Sequence, residues 1–63
     1  MNTKLIIYSS SRPHGREVAS SAVPRKGDNL TIDGDVYVVR EVNWVFGDED
    51  ALLRVDVFLE TLP

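Results

Sequence analysis

The residues from Ser9 to Arg16, read as SSSRPHGR, gather more reactive chemistry than any other stretch of the chain. Ser9, Ser10 and Ser11 supply hydroxyls, Arg12 and Arg16 supply guanidiniums, His14 an imidazole, and Gly15 an accessible backbone N–H. Guanidiniums pair bidentately with phosphate or carboxylate, and hydroxyls and main-chain amides complete such a cradle. Tyr8, just before the segment, and Trp44, the single tryptophan, offer ring faces on which a flat ligand or a base can stack. The expected ligand is therefore small, anionic and nucleotide-like. Tyr8, Ser10, Ser11, Arg12, His14, Arg16 and Trp44 are its candidate contacts. Arg12 and Arg16 clamp phosphate in this reading. The competing reading is a polar loop with no ligand, and for Trp44 a place in the core.

Catalysis fits the same residues poorly. A nucleophile, a base and an orienting group must be held within hydrogen-bond geometry, and a short loop on a small scaffold seldom fixes all three. No enzyme activity is expected. Asp33/Asp35 and Asp48/Asp50 are carboxylate pairs, but neither has calcium-loop spacing, and both lie where turns favour aspartate. With no cysteine and one histidine, thiolate and paired-imidazole metal sites are excluded as well, so neither a metal nor a cofactor is expected.

The scaffold available to such a site is small. The chain has 63 residues, enough for one domain spanning 1–63, and no disulfide can staple it. That leaves a tight core or a partner subunit, and a homodimer is expected. A 43 % hydrophobic and 27 % charged composition is that of a folded protein. No apolar run is long enough for a transmembrane helix, and the first ten residues lack the form of a signal peptide, so a soluble, cytoplasmic protein is expected. Charge is segregated. Residues 1–26 carry five basic groups and one acid, and residues 27–63 carry two basic groups and nine acids, for a net charge of −3. This polarity permits front-to-back attraction between copies and argues against non-specific duplex binding.

The elements that position the candidates read as strands. Thr3 to Tyr8 is a short β run with Leu5 and Ile7 on one side and Lys4, Ile6 and Tyr8 on the other. Ser9 to Gly15 breaks all periodicity and reads as a loop; Arg16 to Val23 follows as an irregular strand. Pro24 to Asp28 is a turn. Asn29 to Ile32 is a short strand, and Asp33-Gly34 is a type I′ hairpin signal. Asp35 to Phe46 is the strongest strand. In it Tyr37 and Val39 alternate out of phase with Val42 and Trp44, which predicts a bulge near Arg40-Glu41. Gly47 to Asp50 is a second turn. Ala51 to Leu62 alternates Leu53, Val55, Val57 and Leu59 against Arg54, Asp56 and Glu60, the pattern of a strand with one buried face. The fold class expected is all-β: a curled antiparallel meander, or SH3-like barrel, of about five strands. Its N-terminal strand is expected at an edge, as a cover or a dimer seam.

The run Val23-Pro24-Arg25-Lys26-Gly27-Asp28, followed by Asp33-Gly34-Asp35-Val36-Tyr37-Val38-Val39 and Val42-Asn43-Trp44, resembles small β-barrel proteins of bacteriophages. In these a P-x-x-G-D turn precedes a DG-x-x-Y-x-V hairpin. The resemblance covers roughly residues 23 to 59 and implies a fold type and a viral source, with no activity attached. A non-catalytic module that sequesters a nucleotide-like anion is the first expectation. A protein-interaction module, either a virion assembly adaptor or an inhibitor of a host protein, is the second. Single-stranded nucleic-acid binding, weakened by the acidic half, is the third.

Overall fold

The computed structural model describes residues 2–10 and 12–62, with the Arg12 backbone but not its side chain among them. The fold is all-β. Its strands are β1 (Thr3–Ser9), β2 (Arg12–Ser20), β3 (Asn29–Ile32), β4 (Asp35–Phe46) and β5 (Leu52–Thr61), with one 3₁₀ turn at Asp48–Asp50. They form one mixed sheet in the order β2-β1-β5-β4-β3. The long axis of 41 Å is about what twelve extended residues span, so β4 and its hairpin with β5 set the length of the molecule.

Alternation on β5 decides which face is buried. Val55, Val57 and Leu59 are enclosed, and they meet Leu5 and Ile7 of β1 on one side and Val39 of β4 on the other. Tyr37 completes this core, and Val18, Val23, Leu30, Ile32 and Val42 pack against it. The sheet thus curls into a half-barrel whose two outer strands lean over the same valine row. Arg16 on β2 reaches Asp33 in the β3–β4 turn, 3.3 Å from guanidinium nitrogen to carboxylate oxygen, and ties the two rims together.

The bulge expected at Arg40-Glu41 is present. Val39 pairs with Leu59 and Glu41 with Phe58, so Arg40 is the extra residue. The phase slip turns Val42 onto the core face while β4 stays continuous. Asp33 and Gly34 both have positive φ, 52° and 88°, as a type I′ turn requires. The Pro24–Asp28 turn closes through Asp28 N–H to the Arg25 carbonyl, and the Asp28 carboxylate accepts from Arg25 N–H at 2.8 Å. It then docks on β4, with Gly27 N–H donating to the Val39 carbonyl and Val39 N–H to the Asp28 carbonyl.

Three expectations are corrected. The segment after Ser10 is not a loop: β2 begins at Arg12 and runs through Pro13, His14 and Gly15. It pairs with β1 through a register shift between Ile7 and Ser9. Being an edge strand, β2 tolerates a proline with no N–H to give, and pairing with β1 holds it together with the partly buried Val18. The N-terminal strand is not at an edge either. It lies inside the sheet, antiparallel to β2 and parallel to β5, so only β3-β4-β5 is a meander. Finally, Trp44 is not a core residue, since about half of its surface is exposed.

Candidate functional site

Strand parity divides the predicted contacts. Leu5 pairs with both Val18 and Val55, and Val55 with Trp44, which puts Trp44 at the open end of a core-face row. Arg16 lies on the next core-face rung, beside Ile7. Tyr8 belongs to the opposite face, where it pairs with Phe58. Tyr8 and Trp44 therefore cannot hold one ring between them. Arg16 already has a carboxylate partner in Asp33. His14 is exposed on β2. Ser11 and the Arg12 side chain lie outside the described residues. Among the described residues of the predicted set, Tyr8 and Ser10 are the ones brought together.

Those two residues line a groove of about 490 Å³ with Ser9, Arg40, Phe58, Leu59, Glu60 and Thr61. Each wall has a local cause. The Tyr8 and Phe58 rings stack, with centroids 5.1 Å apart and planes inclined by 14°. Parallel pairing of β1 with β5 sets them side by side. Gly15 of β2 lies against this pair: a Cβ built there would come within 2.7 Å of Ile6 Cγ2 and 2.9 Å of Tyr8 Cε1. Its positive φ of 82° adds a second reason for glycine. The β1–β2 turn brings Ser10 to the rim, and the bulge on β4 turns Arg40 toward it. Arg40 has no ion-pair partner among the described residues.

The chemistry of this groove is a stacked aromatic pair with an outer ring face, a hydroxyl, a guanidinium and a carboxylate. A ring system can lie on the aromatic pair and an anionic group can meet Arg40. Glu60 can accept hydrogen bonds from amino or hydroxyl groups on the same molecule. No group of three or more potential metal-ligating side chains occurs among the described residues. Sequence reasoning missed Arg40, Phe58, Glu60 and Thr61. For Arg40 the signal was there, because the phase slip that marks the bulge also marks the residue it ejects.

A second surface stands apart. At the β4–β5 end Trp44, Phe46, Leu52 and Leu53 are all exposed. The acidic turn Asp48–Asp50 caps them. No helix among the described residues is long and apolar enough to cross a membrane. Comparison with known protein families, curated proteins and solved structures found no match.

Proposed function

We propose that the protein is a non-catalytic binding module for a small, planar, anionic ligand of nucleotide type, held in the groove between Tyr8–Phe58 and Arg40. The observation that carries this reading is the stacked aromatic pair lying beside an arginine with no ion-pair partner among the described residues. The phosphate-binding role passes from Arg16, engaged by Asp33, to Arg40. A bacteriophage source, resting on the turn–hairpin motif, and a cytoplasmic place of action belong to the same proposal.

Calorimetry against mono-, di- and cyclic nucleotides tests it. One member of the panel should bind without turnover. Arg40→Ala should weaken that binding by about 1.5–3 kcal/mol, tenfold to hundredfold, as expected for loss of a charge-assisted hydrogen bond. Arg25→Ala, in the exposed turn, is the control and should change little. Silence across the panel, or binding indifferent to Arg40, removes the reading.

The exposed apolar end of the β4–β5 hairpin favours a second reading, that of an adaptor or inhibitor acting on another protein. Capture of one protein at fixed stoichiometry, lost in Phe46→Ser with the nucleotide response intact, would support it.

A further inference from the structure

The outer edge of β4 is covered along only part of its length. The strand β3 pairs with residues 35–38, and the docked turn satisfies Val39. From Arg40 to Phe46 no strand lies on that side among the described residues. Natural proteins blunt such an edge with charged residues, proline or a β-bulge, because its free N–H and C=O groups template pairing with another chain. Here the bulge and the charges of Arg40 and Glu41 occupy only its first two residues. Between residues 42 and 46 this edge reads Val-Asn-Trp-Val-Phe, with none of these devices.

We propose that a second copy of this chain occupies the edge, β4 against β4, antiparallel and related by a two-fold axis through Asn43. The free stretch has seven residues, and Asn43 is its midpoint. In that register Asn43 faces its own copy, Val42 faces Trp44, Glu41 faces Val45 and Arg40 faces Phe46. No like charges stand opposite one another. The half-exposed Trp44 ring is laid beside Val42 of the other copy, extending the core-face row of Val18, Leu5, Val55 and Trp44 across the seam.

Charge complementarity selects this occupant. The free stretch ends at one side in the turn that carries Arg25 and Lys26, both exposed, and at the other in the acidic turn Asp48–Asp50. An antiparallel two-fold brings the basic turn of each copy to the acidic turn of the other, twice per dimer. The contact is isologous and closes, so it ends at two chains instead of growing into a fibre. It leaves the Tyr8–Phe58 pair on the opposite sheet face; Arg40 alone takes part in both sites, so the variants that test the dimer, at Trp44, Lys26 and Asp48, lie outside the groove.

Sedimentation equilibrium and light scattering of the full chain test the proposal. At about 100 µM, where any micromolar Kd leaves mostly dimer, the mass should be near twice 7.1 kDa. Trp44→Lys should weaken association about a hundredfold or more while its sheet circular dichroism persists, because an aromatic anchor at the centre of an interface carries much of its affinity. Lys26→Glu and Asp48→Lys should each weaken it about threefold to tenfold, as rim ion pairs do. The double variant Lys26→Glu/Asp48→Lys should recover most of the loss. A wild-type monomer at that concentration overturns the proposal. So does a dimer indifferent to Trp44→Lys, or a double variant as weak as the two single changes combined.

Discussion

Replacing Gly15 by alanine adds one methyl group at the point where β2 passes closest to the Tyr8 ring. Two costs follow from the geometry. The backbone there has φ of +82°, a conformation that disfavours an L side chain by about 1–2 kcal/mol. The new Cβ would also stand 2.7 Å from Ile6 Cγ2 and 2.9 Å from Tyr8 Cε1, too close for either atom to stay. Tilting the Tyr8 ring relieves the overlap at the expense of its stack on Phe58, worth about 0.5–1.5 kcal/mol. The sum is about 1.5–3.5 kcal/mol, against a total stability of about 3–5 kcal/mol for a core of this size. Unfolding entropy of about 2.1 cal/mol/K per residue makes each kcal/mol worth roughly 8 °C for 63 residues. The expected fall in Tm is therefore roughly 12–28 °C. Gly27 supplies the control: its φ is +95°, but nothing lies within 4 Å of an added Cβ. Gly27→Ala should cost only the backbone share, about 1–2 kcal/mol. Urea titrations of both variants, with near-ultraviolet circular dichroism to follow the tyrosines, separate the two costs. Equal midpoints for the two variants, or an unchanged tyrosine signal in Gly15→Ala, would refute the steric argument.

Two further expectations concern stability. Val57 is fully buried at the centre of β5, so Val57→Ala should cost about 2–3 kcal/mol in urea denaturation, as the lost methyls and the cavity add. The two arginine–aspartate pairs should differ. The Arg54 side chain donates at 3.1 Å to Asp56, whose own side chain is only 10 % exposed, whereas the Arg16–Asp33 pair is exposed on both sides. Arg54→Ala should cost about 1–3 kcal/mol by leaving a buried carboxylate short of a partner, and Arg16→Ala less than about 1 kcal/mol. The reverse order in thermal melts would contradict this account.

What the sequence revealed of the fold was whatever depended on local pattern. Alternation from Val55 to Leu59 identified the buried face of β5. Leu53, expected on that face, is exposed because the register slips beside it, and Asp56, expected to be exposed, is buried on the other face. The phase slip between Val39 and Val42 located the bulge. Asp33-Gly34 specified its own turn. By contrast, β2 has almost no alternation to read, because Pro13, His14 and Arg16 lie exposed at a sheet edge and owe their conformation to β1. Its residues looked like a loop for that reason. The β1–β5 pairing was hidden because no local signal joins residue 5 to residue 55. The candidate site inherited both gaps. Tyr8 and Ser10 were legible as an aromatic and a hydroxyl near a break in periodicity. Phe58, their partner in the groove, needed the non-local pairing to be found.

That same pairing of Leu5 with Val55 spans fifty positions of the chain and lies at the middle of the sheet. Its loop-closure entropy must be spent before the contact returns anything, so it forms late. The hairpins β3–β4 and β4–β5 close short loops and assemble first, giving a three-stranded template with one side of β5 open. The β1–β2 hairpin then docks on that side as a unit. Folding of the isolated chain should accordingly fall in the slow, millisecond-to-second range of small β proteins. During synthesis, the edge of β1 that faces away from β2 must wait, solvated and unpaired, until β5 has been made.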